Sequence, residues 1–292
     1  MRPIAEPVLE VVAASVGTID RDRVETVGGG SINRTYRLVT LRGTRYLLKT
    51  NIKSALSMFE AERMALDELR AASAVRVPEP IRVSVAGDVS FLLLEFIELG
   101  HKTTAAAAAC GQALAILHQQ IRPRYGWHRD NTIGSTRQIN DWSTDWIAFF
   151  RDARLGYQLQ LAADNGIGES IGAAGRRLLD RLPAFFDGHA PAASLLHGDL
   201  WGGNWGATFG EEPVIFDPAT YYGDRETDIA MTMLFGGFDR SFYAAYEETW
   251  PLDDGFKRRR DLYNLYHVLN HFNLFGGGYR HQVSELLDSL LD

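Results

Sequence analysis

Cysteine is nearly absent: Cys110 is the single one in 292 residues. One thiol excludes an intrachain disulfide and a zinc site built from cysteines. Long hydrophobic runs are missing too. The longest candidate, Thr103 to Leu117, is mostly alanine and is broken by Gly111 and Gln112. It falls short of the roughly 18 residues that a membrane span needs. The opening Met1-Arg2-Pro3-Ile4-Ala5-Glu6-Pro7 lacks the apolar centre of a signal peptide. Nor is there an excess of positive charge. Lys plus Arg number 30 and Asp plus Glu 37, a net charge of −7, which gives no support for general nucleic-acid binding. What remains is ordinary globular composition, 46% hydrophobic and 23% charged, and it excludes wholesale disorder. The expectation is a cytoplasmic protein with neither a membrane nor a nucleic acid as partner. At about 150 residues per domain, the length allows one large domain or two modest ones.

The first third reads as strand-rich. Val24 to Val27, Thr35 to Leu41 and Thr44 to Thr50 are strand-like, and Arg42-Gly43 is a tight turn. Ser54 to Ala72 has the pattern of a helix, with Ser54 at its N-cap. Pro78 and Pro80 interrupt regular structure, and strands at Ile81 to Val85 and Val89 to Ile97 follow around Ala86-Gly87-Asp88. Beyond Gly100 helices dominate, beginning with Thr103 to His118. Short strands are expected only around Leu195 and between Asn204 and Asp217. This order predicts an α+β chain of two lobes, 1–98 and 99–292. The boundary lies near Glu98 to Lys102 and carries no flexible linker.

The stretch Leu195-Leu196-His197-Gly198-Asp199-Leu200-Trp201-Gly202-Gly203-Asn204 runs from an apolar strand into His-Gly-Asp, with an asparagine five residues after the aspartate. Val214-Ile215-Phe216-Asp217 is a second strand that ends on a carboxylate. A hairpin through Gly210-Glu211-Glu212-Pro213 would make Asn204 and Asp217 neighbours. An amide oxygen and a carboxylate facing one point are hard ligands suited to Mg²⁺, and Asp199 would be placed to accept a hydroxyl proton. Loop aspartates, asparagines and glycines also occur for turn geometry alone. The spacing of all three groups favours a metal-phosphate site.

A nucleotide needs further parts. Gly28-Gly29-Gly30-Ser31 joins two strand-like stretches, where backbone N–H groups can approach phosphates. No Gly-x4-Gly-Lys-Ser/Thr occurs in the chain, so this is not a Walker A loop. Lys49 ends the apolar run Tyr46-Leu47-Leu48. Met58, Glu62, Ala65 and Leu69 share one helical face. An acid on that stripe needs a partner, and Lys49 is the cation that topology brings nearest. Glu60, on another face, is the weaker candidate. The strand through Glu95 and Ile97 leads into the lobe boundary, where a kinase hinge offers backbone groups to adenine.

Together these residues resemble the aminoglycoside phosphotransferase branch of the protein-kinase-like fold. The blocks His197 to Asn204, Gly126 to Gly134, Phe149 to Leu155 and Asn270 to Gly276 are similar to the fructosamine kinase (ketosamine 3-kinase) family. The resemblance spans about residues 8–280. It implies ATP and Mg²⁺ as cofactors and phosphorylation of the 3-hydroxyl of a small-molecule or protein-bound ketoamine. It also implies Asp199 as base, Asn204 and Asp217 as metal ligands and Lys49 on the phosphates. Asp217 is followed by Pro-Ala rather than Phe-Gly, which fits small-molecule kinases. His197 and Asp228 are expected to support the catalytic loop, and Asp228 also suits the N-cap of a helix from Ile229. Trp201 either stacks on a sugar or packs on the lobe. His267 and His271 either line the acceptor site or are core groups. Lys257 to Arg260 reads as a solvated helix end. An aminoglycoside acceptor and a non-catalytic nucleotide-binding module are the competing functions.

Overall fold

The computed structural model describes residues 4–28 and 32–292. Gly29, Gly30 and Ser31 lie outside the described residues. The chain opens with α1 (Glu6–Val16), followed by β1 (Glu25–Val27), β2 (Arg34–Val39), β3 (Arg45–Ile52), α2 (Leu56–Ala72), β4 (Pro80–Ala86) and β5 (Val89–Glu95). The five strands form one antiparallel sheet in the order β1-β2-β3-β5-β4. Strand alternation divides their side chains between two layers. Leu38, Leu48, Phe91 and Leu93 meet Val8, Leu9 and Val12 of α1, while Leu92 and Leu94 join Phe59, Leu66 and Leu69 of α2. Lys49, next to Leu48, is thereby turned to the α2 side. The sequence reading passed over α1, although Glu6 in its first turn, Pro7 at its start and Gly17 at its end mark it.

Two local expectations are corrected. Ser54 is not the N-cap of α2: it sits inside a 3-10 turn, Lys53–Ala55, and Ala55 takes the cap position. Pro80 begins β4 rather than interrupting it, because a register shift between Pro80 and Arg82 absorbs the missing donor.

The remaining elements are α3 (Thr104–His118), β6 (Ile121–Arg122), β7 (Asn131–Ile133), β8 (Thr136–Gln138), α4 (Trp146–Phe149), α5 (Tyr157–Asp164), α6 (Glu169–Arg181), β9 (Ala193–Leu195), β10 (Trp205–Ala207), β11 (Pro213–Ile215), β12 (Tyr222–Gly223), α7 (Glu226–Leu234), α8 (Arg240–Thr249), α9 (Phe256–Phe275) and α10 (Arg280–Leu291). Thr103 caps α3, its Oγ1 accepting from Ala106 N–H at 3.1 Å. Small residues let α3 pack close to α8: a Cβ at Gly111 would collide with the Phe242 carbonyl. The core under α2 continues into the helical lobe through Trp127, Trp146, Phe150 and Tyr263. Among the described residues no helix is long and apolar enough to cross a membrane.

Candidate active site

The expected hairpin is present. β10 pairs with β11, with Trp205 opposite Ile215 and Ala207 opposite Pro213, and Phe216 N–H donates to Asn204 O at 3.0 Å. Asn204 and Asp217 therefore stand side by side at the open end. Asn204 Nδ2 donates to Asp199 O at 2.9 Å and to Asp199 Oδ2 at 3.3 Å. That fixes the amide's orientation and leaves Oδ1 free as an acceptor. Asp217 has φ +59°, a left-handed conformation that ends the strand abruptly.

Lys49 Nζ donates to Glu62 Oε1 and to Asp217 Oδ1, both at 2.5 Å. Lys49 is 5% exposed. Burial opposes its charge, yet Asp217 and Glu62 outweigh burial and lift its pKa above the ordinary lysine range. Burial also raises the Glu62 pKa, against the pull of Lys49. Glu60 instead faces Arg129 at 3.6 Å.

The His-Gly-Asp loop is held from behind. Asp228 accepts from His197 N–H at 2.7 Å and from Gly198 N–H at 2.8 Å. His118 Nε2 lies 3.2 Å from the same carboxylate, and its Nδ1 lies 2.8 Å from Tyr246 OH. His197 donates through Nε2 to the Phe216 carbonyl at 3.0 Å, and its Nδ1 accepts from Asp199 N–H at 3.2 Å. This single imidazole ties the strand before Asp217 to the loop bearing Asp199. Gly198 has φ +85°, and a Cβ there would collide with the Ala219 carbonyl, so only glycine fits between the two loops. Burial, then Asp217 and Asp228, push the Asp199 carboxyl well above the usual range, while the Asn204 bond pulls it down. Asp228 is not an N-cap: α7 starts at Glu226, and Asp228 lies within its first turn. His118 was missed in the sequence, where a histidine ending an alanine-rich helix gave no sign of its partners.

Two cavities meet at this centre. One is mainly apolar and is lined by Gly28, Leu47, Leu66, Leu94, Glu95, Phe96, Ile97 and Val214. The Glu95 carboxylate is engaged by Arg76 at 2.6 Å and by Glu79 N–H at 3.3 Å, so the side chain belongs to the hinge itself. The other is more polar and includes Asn33, Asn131, Thr132, Gly134, Asp199 and Pro218. Thr35, Lys49, Glu62, Trp201, Asn204 and Asp217 line both. Trp201 is 38% exposed, and its ring covers Gly203, where a Cβ would collide with it. It is thus a cleft residue and not a core one.

The β7–β8 hairpin on the polar side was not foreseen. Asn131 Nδ2 donates to Thr220 O at 2.8 Å, and Gln138 Nε2 donates to Asn131 Oδ1 at 2.8 Å and to Ala219 O at 3.0 Å. These bonds clamp the hairpin to the segment after Asp217.

The two histidines on α9 do not line either cavity. His267 is 3% exposed, and burial pushes its pKa down to about 3. His271 is half-buried among Phe235, Phe275 and Tyr279. Lys257 to Arg260 is not wholly solvated either. Arg259 is 3% exposed and donates to both oxygens of Glu226 at 2.7 and 2.9 Å.

A five-stranded sheet over α2, a Lys–Glu–Asp constellation and a His-Gly-Asp loop at the base of a cleft define a protein-kinase-like phosphotransferase. An ADP-bound aminoglycoside phosphotransferase shares that fold, with a TM-score of 0.65, 13% identity and coverage of 99% of this chain and 97% of its own. The fructosamine kinase family model matches residues 6–292, and the chain belongs to that family. It is 42% identical over 271 residues to the chloroplastic protein-ribulosamine 3-kinase of Oryza sativa subsp. indica, covering 92% of this chain and 78% of that protein. The crystal structure of a protein from Haemophilus somnus 129PT assigned as a fructosamine-3-kinase superposes with a TM-score of 0.88 at 29% identity, covering 98% and 97% of the two chains.

Proposed function

We propose that this protein transfers the γ-phosphoryl group of ATP to the 3-hydroxyl of ketoamines such as fructosamines and ribulosamines. The observation that carries the reading is the meeting of two cavities on Lys49, Asn204 and Asp217, with Asp199 on the polar side alone. The apolar cavity suits adenine, with Glu95 and Ile97 at the hinge and Gly28 at the start of the phosphate loop. The polar cavity suits the acceptor. We take 1–98 and 99–292 as the two lobes between which this cleft opens.

The donor set fits Mg²⁺, because the free Asn204 Oδ1 and the Asp217 carboxylate are hard oxygen donors. Magnesium bound there would neutralise charge developing on the phosphates. Lys49 holds the phosphates from the other side, and Glu62 keeps Lys49 in place. Asp199 accepts the proton of the attacking hydroxyl from within roughly 2.6–3.2 Å. Phosphoryl transfer of this kind relies on positioning and charge neutralisation. The 3-phosphate sits on the carbon next to the ketoamine carbonyl and β to the amine-bearing carbon. Loss of a proton from the amine-bearing carbon gives an enaminol that expels the phosphate, and water then hydrolyses the resulting imine to a dicarbonyl sugar and the free amine. The outcome is removal of sugar adducts from small amines or proteins. A cytoplasmic setting supplies the ATP.

ATP turnover with a fructosamine or a ribulosamine, beside kanamycin, tests the assignment, with released amine as second readout. We expect turnover and amine release with the ketoamines. Turnover confined to kanamycin overturns the acceptor assignment, and ATP binding with no turnover on any acceptor favours a non-catalytic module.

A further inference from the structure

A buried chain of amides runs from Arg154 to the wall of the polar cavity. Arg154 is completely buried. Its guanidinium donates to Ile139 O at 2.5 Å and to Asn140 Oδ1 at 2.7 Å, and its Cζ lies 4.0 Å from the centre of the Tyr221 ring. A guanidinium only donates, so Asn140 must turn its oxygen to Arg154. Asn140 Nδ2 then donates to Arg129 O at 3.1 Å and to Asn131 Oδ1 at 2.9 Å. Gln138 is fixed in the same way. Tyr266 OH donates to its Oε1 at 2.8 Å, and its Nε2 donates to Ala219 O at 3.0 Å and to Asn131 Oδ1 at 2.8 Å.

Both chains end on one amide. Asn131 Oδ1 accepts from Asn140 and from Gln138, and Asn131 Nδ2 donates to Thr220 O at 2.8 Å. A backbone carbonyl only accepts. The Asn131 amide therefore cannot turn over without setting oxygen against oxygen at Thr220 and N–H against N–H at Asn140 and Gln138. Its nitrogen carries two hydrogens, and the bond to Thr220 uses one. The second has no acceptor among the described residues. Asn131 is 7% exposed and lines the polar cavity together with Asp199. A buried donor without an acceptor is costly, and a ligand in the cavity can supply one.

We propose that the second N–H of Asn131 donates to an oxygen of the acceptor sugar next to the reacting hydroxyl, at C2 or C4, and that Asn131 is thereby a specificity-determining residue. This rests on the ketoamine reading of the site. The polar cavity holds about 170 Å³, so a sugar whose 3-hydroxyl faces Asp199 brings its adjoining oxygens close to the same walls. Asp199 accepts and Asn131 donates, which suits two neighbouring oxygens, one giving a proton and the other a lone pair. An ammonium group has only N–H bonds to offer, so an aminoglycoside amine in that position meets a donor with a donor. Arg154 and Gln138 act as positioning residues: they decide that the cavity receives an N–H and not an amide oxygen.

The test compares a fructosyl-amine with two analogues, one lacking the oxygen at C2 and one lacking that at C4. For each acceptor kcat/KM is measured in the wild type, Asn131→Ala and Asn131→Asp, with KM for ATP and circular dichroism alongside. In the wild type at least one analogue should lose about 5- to 150-fold in kcat/KM, the range of an unmet buried hydrogen bond. Asn131→Asp keeps an acceptor for Asn140 and Gln138 but offers no N–H, and Asn131→Ala offers neither. In whichever variant keeps the wild-type circular dichroism, the loss should shrink towards none while KM for ATP stays unchanged. A merely structural role for Asn131 would slow all three acceptors by one factor and leave their ratios as in the wild type, which overturns this inference alone. Equal turnover of the fructosyl-amine and both analogues by the wild type, a result that needs no variant, overturns it too. No turnover of any ketoamine by the wild type overturns the function reading, and this inference falls with it.

Discussion

At the residue scale, the site is a set of charges that are unfavourable singly and favourable together. Lys49 and Glu62 are both nearly buried, with side chains 6% and 10% exposed, and breaking one side of such a pair costs about 3–5 kcal/mol. Lys49→Met should therefore lower stability by about that amount and abolish phosphoryl transfer. Chemical denaturation with an activity assay checks both. Unchanged stability and turnover in Glu62→Gln would refute the pairing. Asp217 behaves differently. Its side chain is 46% exposed, so Asp217→Ala should leave the protein folded, with circular dichroism unchanged and transfer lost. Normal turnover in that folded variant would remove the kinase reading.

At the scale of elements, buried polar groups brace the loops. Asp228 on α7 holds two backbone N–H groups of the His-Gly-Asp loop and meets His118 of α3. Burial raises its pKa less than His118, His197 and the Gly198 amide lower it, so it stays ionised. In Asp228→Ala two buried donors lose their acceptor, at roughly 1–3 kcal/mol each. We expect a lower melting temperature and lower turnover at a KM for ATP that changes little, because the apolar cavity is untouched. A second brace joins the loop after α6 to the starts of α7 and α9. His189 points one ring nitrogen at Asp224, 2.7 Å, and the other at Asp253, 2.5 Å. Burial disfavours its charged form, but Asp224 and then Glu226 prevail over burial and Arg259, and raise the folded pKa. A raised folded pKa stabilises below the unfolded value near 6.5 and is lost as pH climbs through the folded value. The melting temperature of the wild type minus that of His189→Gln should thus be largest at pH 6 and shrink above it. A flat difference from pH 6 to 9 would contradict the imidazolium. Buried His118, His197 and His267 have lowered pKa values. They act in the opposite sense and destabilise as pH falls below about 6.5.

At the scale of the whole molecule, the two lobes share one core under α2 and touch through single residues. Glu68 of α2 accepts from Trp127 Nε1 at 2.5 Å and from Tyr222 OH at 2.8 Å. Arg76 bridges Glu95 at the hinge and Glu212 on the β10–β11 turn, at 2.6 and 3.1 Å. A nucleotide bound between the lobes stabilises both. At 100 times its Kd, Mg²⁺ with a non-hydrolysable ATP analogue should add about 2.7 kcal/mol, or roughly 5–10 °C in melting temperature at this chain size. Adding EDTA should remove most of the shift, and Asp217→Ala should lack it. A full shift in EDTA would show that the metal is not held between nucleotide and protein.

Sequence alone determined the local parts. The apolar runs of β3 and β5, the helical stripe of α2 and the spacing from His197 to Asp217 each follow from neighbours in the chain, and a strand or hairpin can be read from a few consecutive residues. The same spacing brought Asn204 to Asp217, because a hairpin closes over a short, turn-bearing segment. Glu62 was legible as well, since an acid on an apolar face requires a partner. Only the tertiary structure decided what depends on distant segments. His118 meets Asp228 across 110 residues, and Asn131 meets Thr220 across 89. Arg259, read as solvated, is buried on Glu226 across 33. His267 and His271 share a helix, and it took packing to seal the first in the core and set the second among exposed rings. Burial and long-range pairing are properties of packed surfaces, and the chain order carries no local mark of which buried polar group will face which.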